Sequence, residues 1–426
     1  MPHSRSDARS DHPSSASGAV VAGLLVTPTG RSAVRGPDLG RPVAIRDAAI
    51  AWEDGVVTYA GPADALPAGA PDPLVFSGST VVPGFVDPHT HLPFFGWRAD
   101  EFAARLAGVS YRELHGEGGI PRSARMLAEA DDETVLAFCR ALVREMRSLG
   151  TTAFETKTGY GLSVEAELRQ ARLARALAAE SGIRSSLTLL VAHAVPEAVR
   201  RDEWIRVACR ELIPAAIEQG LADAVDVYVE DIAFGLDDLR AVAEAAASHG
   251  LPVRVHADQL AGSDATEEAV QLRARSADHL NHVSDHGIDA LAGGETIAVL
   301  LPASTFSMGA PPAPARRLVE AGAAVAIGTD FNPGTSAVLS MPEAIAFACR
   351  LYGLSPDEAL TAATLNAAAV LGVADATGSL EPGKSADLVV LEGIGVEHVP
   401  YRPGHDPVVA AYAGGVPSAG GRNGAR

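Results

Sequence analysis

The chain has 426 residues, 47% of them hydrophobic, and a formal net charge of -19. That length suits a barrel of roughly 250 residues or more beside one smaller domain, and the apolar fraction is enough for a large core. The charge argues against a nucleic-acid partner and means that an anionic ligand needs a local positive group to hold it.

Residues 1–18, "MPHSRSDARSDHPSSASG", are polar and Ser-rich. They lack the apolar middle of a secretory signal and are expected to be a disordered tail. No run of about 20 apolar residues free of charge, Gly and Pro occurs, so no membrane span is expected. Over residues 19–83, runs such as "AVVAGLLVTP", "AAIAWEDGVVTYAG" and "STVVPG" are separated by turn residues and predict short antiparallel strands. "GSLEPGKSADLVVLEG" near the other end reads the same way. The two ends, 19–83 and 375–415, are expected to build one small β-sandwich domain, with 416–426 a flexible tail.

Between them, over residues 84–374, apolar runs alternate with amphipathic segments. The predicted strands are "GFVDPHTH", "TTAFETKTGYG", "SSLTLLVAHAV", "AVDVYVED", "LPVRVHAD", "SADHLNHV", "ETIAVLLP" and "AAVAIGTDFNP". Helices are predicted at "DETVLAFCRALVREMRSLG" and "SVEAELRQARLARALAAESG", ended by Gly150 and Gly182. "SPDEALTAATLNAAAVLG" reads as one helix, with Ser355 as cap, Pro356 in the first turn and Glu358 completing a capping box. Eight strands alternating with helices predict a (β/α)8 barrel. No G-x-G-x-x-G follows a strand to support a doubly wound open sheet. Cys139, Cys209 and Cys349 each sit in a predicted helix with no C-x-x-C pair, as free buried thiols in a reducing cytoplasm would.

In such a barrel the active site lies at the C-terminal ends of the strands. The polar residues of this chain fall there. His89 and His91 end the first strand, His193 the third and His256 the fifth; His279 sits on the sixth and Asp330 ends the eighth. Strand alternation lets His89 and His91 point together into the barrel mouth. Neutral imidazole suits zinc or iron, and a carboxylate completes a mixed N/O set. The H-x-H pair is uninformative alone; its weight comes from the other residues falling at the same end. His249, His282, His286, His398 and His405 show no such placement.

"PGFVDPHTH" resembles the first-strand motif of the amidohydrolase superfamily. "DPHTHLPFFGWRADEFAARLAGVSYREL", "TKTGYGLSVEAEL", "AHAVP", "VHADQL", "SADHL", "TDFNPGTS" and "GSLEPGKSADLVVL" are similar, in the same order, to the imidazolonepropionase family. The resemblance spans Pro83 to Leu391. It implies a mononuclear zinc or iron held by His89, His91, His256 and Asp330. It implies substrate contacts at Arg98, Tyr160, His193, Gln259, Asn332, Gly334 and Thr335, and His279 beside the activated water. The implied reaction is hydrolytic ring opening of 4-imidazolone-5-propanoate to N-formimidoyl-L-glutamate, in a cytoplasmic homodimer.

The residue chemistry is compatible with those implications. Relatives that bind two metals use a carbamylated lysine on the fourth strand, and "AVDVYVED" has none; the chain's two lysines are Lys157, on the second strand, and Lys384, beyond the barrel. Lys157 is therefore expected to be a structural or solvent-paired strand lysine rather than a ligand. Arg98 offers a planar fork to the substrate carboxylate. Asp330 can accept a proton from water, His279 can orient it or stabilise an oxyanion, and either Asp330 or His193 can protonate the leaving nitrogen. Two rival readings are a ring deaminase of the same superfamily and a catalytically silent scaffold of this fold. Gln259, three residues after His256, stands where the deaminases carry a proton-shuttling glutamate.

Overall fold

The structure is a computed structural model that describes residues 17–114 and 118–418. The expected N-terminal tail lies almost wholly outside the described residues, as do residues 419–426. Four strands come from the first part of the chain: β1 (Gly18–Thr27), β2 (Val43–Glu53), β3 (Val56–Pro62) and β4 (Leu74–Pro83). Eight follow in the middle: β5 (Phe85–Asp87), β6 (Thr151–Lys157), β7 (Arg184–Ala192), β8 (Ala224–Val229), β9 (Val253–Ala257), β10 (Ser276–His279), β11 (Ile297–Leu300) and β12 (Val325–Ile327). The last three are β13 (Leu388–Glu392), β14 (Val408–Ala413) and β15 (Val416–Pro417).

Strands β5 to β12 pair in sequence order, every pair parallel. All eight predicted strands are present and form the barrel wall. Their near-continuous apolar runs are what a sheet buried on both faces requires. A parallel bridge between Thr90 and Phe331 joins the first strand's end to the last. Asp87 holds the same seam: its carboxylate accepts the Thr329 backbone N–H at 3.1 Å and the Thr329 hydroxyl at 2.6 Å. Burial pushes the Asp87 carboxyl up to about 7.

The crossover helices start and stop where their sequence says. The Asp131 side chain caps Asp132–Ser148 and Ser163 caps Val164–Ser181; Gly182 ends the latter in the left-handed region. The segment after Ser355 departs from the single helix expected of it. The capping box forms, but Pro356–Ala362 and Leu365–Val370 are separate helices. Thr364, between them, leaves helical geometry, and its hydroxyl bonds back to the Leu360 carbonyl.

The terminal strands make a mixed seven-stranded sheet in the order β15-β14-β13-β4-β1-β2-β3; β1 and β4 pair parallel, not antiparallel as expected, because β2 and β3 stand between them in the chain and β2 takes the other edge of β1. Its core includes Val20, Leu25, Ile50, Trp52, Val81, Leu388 and Val390. Val416 and Pro417, expected to begin a flexible tail, instead pair with Ala413 and Tyr412. Backbone pairing at a sheet edge orders them where side-chain patterning gave no sign. No described helix is long and apolar enough to cross a membrane.

Candidate active site

Short strands end in loops, and the loops carry the chemistry. His89 and His91 follow β5, and their Nε2 atoms lie 3.3 Å apart. Asp330, after β12, places Oδ1 3.2 Å from His91 Nε2 and 3.5 Å from His89 Nε2. The ring of His256, on β9, is 4.6 Å from that of His89, centroid to centroid. His279, the last residue of β10, lies 5.3 Å from the His256 ring. His279 and Asp330 both adopt positive φ, 81° and 55°. Non-glycine residues held there mark sites whose surroundings over-determine the backbone.

The tautomers follow from the partners. His89 Nδ1 meets Asp278 Oδ2 at 2.6 Å and His256 Nδ1 meets Asp226 Oδ1 at 3.0 Å. A carboxylate only accepts, so both Nδ1 atoms carry the proton and both Nε2 atoms present lone pairs. Burial holds His89 and His91 well below the usual histidine range and takes His279 down to about 3, so the rings are neutral near pH 7. Burial also raises the Asp330 carboxyl. His256 Nε2 is buried without a hydrogen-bond partner among the described residues. The lone pairs of His89 Nε2 and His256 Nε2 converge with the Asp330 carboxylate, a donor set that fits a metal ion. Ligand atoms of His89, His91 and His256, and of His89, His279 and Asp330, lie within 4.8 Å of one another in each group.

Below this cluster lies a layer of charge that sequence reading missed. Lys157 Nζ donates to Asp226 at 2.7 Å and to Glu155 at 2.9 Å. Arg254 bonds Glu155, Asp278 (2.7 Å), Ser276 (2.9 Å) and the Pro88 carbonyl (2.8 Å). Of the two roles expected of Lys157, structural or solvent-paired, the second does not hold: it is fully buried, and its partners are buried carboxylates. Burial alone would raise the Asp226 carboxyl; His256, Lys157 and Arg254 outweigh it and hold it well below the usual carboxylate range. The available signal was a charged residue inside an apolar strand, as in "FETK", "AVDVY" and "PVRVH".

Above the cluster, one cavity collects the other candidates. Arg98, Tyr160, His193 and Gln259 line it, together with His91, His256, His279, Asp330, Asn332 and Thr335. His89 lies deeper, fully buried. Gly334 is absent from the wall, but a Cβ there would overlap Arg98 Nη2, so the guanidinium crosses its backbone. His193 Nδ1 meets the Gly159 carbonyl at 3.0 Å, and its ring stacks on His91 at 5.3 Å. Asn332 is committed to its own loop: its amide bonds the Asp330 carbonyl, the Thr335 hydroxyl and the Gly334 and Thr335 N–H groups.

Sequence reading also missed Ile120 and Tyr228 on the wall. It missed the buried acids that tie the loops. Glu167 accepts the N–H groups of Gly159, Gly161 and Leu162, which fixes the loop carrying Tyr160. Glu230 accepts the Leu260 N–H at 2.7 Å beside Gln259, and burial raises its carboxyl to about 7.

The chain matches the Amidohydrolase family over residues 80–417. It is 42% identical to an imidazolonepropionase of Deinococcus radiodurans over 382 residues, which covers 89% of this chain and 94% of that protein. It is 41% identical to an imidazolonepropionase of Symbiobacterium thermophilum, covering 90% of this chain and 93% of that one. Among solved structures, a zinc-bound adenosine deaminase from Xanthomonas campestris superposes with a TM-score of 0.69 at 21% identity. It covers 94% of this chain and 92% of its own, a likeness of fold alone.

Proposed function

The chain belongs to the amidohydrolase family, among its imidazolonepropionases, and we propose that it hydrolyses the ring amide of 4-imidazolone-5-propanoate to give N-formimidoyl-L-glutamate. One cavity supports the reading: its floor is the acceptor cluster and its wall carries the Arg98 guanidinium.

His89, His91, His256 and Asp330 would hold one zinc or iron ion. When bound, that ion acidifies a water and polarises the ring carbonyl. Asp330 takes the proton of the attacking water. His279, neutral, orients the water and stabilises the developing oxyanion. The water oxygen bonds to the carbonyl carbon, the ring C–N bond breaks, and the nitrogen leaves with a proton from Asp330 or His193. Arg98 holds the propanoate tail, Tyr160 and Gln259 flank the ring, and the braced Asn332–Thr335 loop supports Arg98. The same family reading carries a cytoplasmic homodimer as its assembly.

The test is incubation with freshly prepared 4-imidazolone-5-propanoate. The expected result is loss of its ultraviolet absorbance with formation of N-formimidoyl-L-glutamate and no ammonia. Ammonia from cytosine, guanine or adenosine, with the imidazolone left intact, would replace this reading by a deaminase. Inertness of the metal-loaded protein toward all four would favour the scaffold.

A further inference from the structure

The mechanism uses Arg98 but leaves unexplained a buried acid beside it. Glu101 is 5% exposed, one helical turn beyond Arg98, and its Oε2 accepts from Arg98 Nη1 at 3.2 Å. Its Oε1 accepts the Gly119 backbone N–H at 3.1 Å and Arg122 Nη1 at 3.4 Å. Gly119 opens the helix whose next residue, Ile120, stands on the cavity wall. One carboxylate therefore grips both the guanidinium and the start of the apolar wall beside it.

The arginine is held from three sides. Its own N–H donates to the Pro333 carbonyl at 3.0 Å. Its guanidinium lies across Gly334, whose carbonyl accepts from Arg105 at 3.0 Å. Glu101 takes the Nη1 corner. Arg98 Nε is buried with no hydrogen-bond partner among the described residues. Nε and Nη2 lie against Gly334, so the guanidinium reaches the cavity wall with one edge fixed by that glycine and the Nη1 corner fixed by Glu101.

We propose that Glu101 is a positioning residue for substrate recognition: together with Gly334 it fixes the Arg98 guanidinium at the cavity wall, where it meets the substrate carboxylate, and it sets the adjoining Ile120 wall at the distance the tail requires. The proposal rests on the reading of Arg98 as the carboxylate anchor. Removing Glu101 frees the guanidinium to rotate and loosens the wall, while the hydrolytic cluster is untouched. The loss falls on KM and requires both Arg98 and a carboxylate tail.

The experiment compares Glu101→Ala, Glu101→Gln, Arg98→Ala and the double variant E101A/R98A, with thermal unfolding of each. Two substrates are used: 4-imidazolone-5-propanoate and the imidazolone bearing a methyl group in place of the propanoate. Glu101→Ala is expected to raise KM roughly tenfold with kcat within about threefold, and Glu101→Gln, which keeps an acceptor oxygen, to raise it less. Adding Glu101→Ala to Arg98→Ala is expected to cost nothing further, and kcat/KM for the methyl compound is expected to stay unchanged in Glu101→Ala. Multiplying losses in the double variant, or an equal loss on the methyl compound, would overturn the proposal. If Glu101→Ala does not fold, the same comparisons on the isosteric Glu101→Gln decide the matter. Unaltered kcat/KM in Arg98→Ala would overturn the anchor reading itself, and this proposal with it.

Discussion

The barrel and the terminal sheet are both walls of Val, Ile, Leu and Ala, but they differ in the polar groups they enclose. In the terminal sheet, Val20, Leu25, Ile50, Trp52, Leu388 and Val390 form an apolar core, and Lys384 sits outside that cluster, bonded to the Gly30 carbonyl and the Ser379 hydroxyl. Inside the barrel, β6, β8, β9 and β10 carry Glu155, Lys157, Asp226, Arg254 and Asp278, all buried. A buried ion network adds little net stability over an apolar core of equal volume. What this one does is fix two imidazoles: Asp278 sets the His89 ring and Asp226 the His256 ring. The terminal sheet is assembled for stability, and the barrel interior spends part of its core on orientation.

That contrast breaks most sharply at the cluster itself. Asp330→Asn and His279→Ala are each expected to lose about 10²–10⁴ in kcat while unfolding at the wild-type temperature. Near-normal turnover in a folded, metal-loaded variant would remove that residue from the mechanism. On the other side, Ile50→Ala is expected to cost about 2–5 kcal/mol of stability and leave kcat alone. If kcat fell while denaturant titration showed no loss of stability, the division between the two regions would fail.

Two finer changes sharpen the same contrast. Arg98→Lys keeps the charge and loses the fork, so kcat/KM is expected to fall by about 1–3 kcal/mol in transition-state free energy. An unchanged value would return Arg98 to a packing role over Gly334. Asp278→Asn is expected to weaken metal affinity by roughly 10–100-fold with little change in secondary structure. Competition against a chelator measures this, and wild-type retention would mean that the Asp278–His89 bond does not orient the ligand.

Much of this was legible in the sequence because strand ends write their chemistry locally. "DPHTH", "VHAD" and "TDFNP" each put a ligand candidate just past an apolar run, and the fold order then brings them together. What escaped depends on contacts across the chain. Glu101 and Gly119 are eighteen residues apart, and Glu230 and Leu260 thirty. Neither pairing has a local pattern. Lys157 was readable as something other than a ligand, but its carboxylate partner Asp226 is named only by barrel closure. The break at Thr364 escaped for the opposite reason: apolar spacing continued through it, while a hydroxyl redirected the backbone.

Three histidines and an aspartate would hold a single cation, because Lys157 is tied into the layer beneath and unavailable as a ligand. Elemental analysis of the fully active protein, paired with activity after chelation and stepwise return of zinc or iron, tests it most directly. The expected result is about one transition metal per chain, activity rising in proportion to it, and loss of both metal and activity in His89→Ala and His256→Ala. Two metals per fully active chain, or full activity in a metal-free preparation, would contradict it.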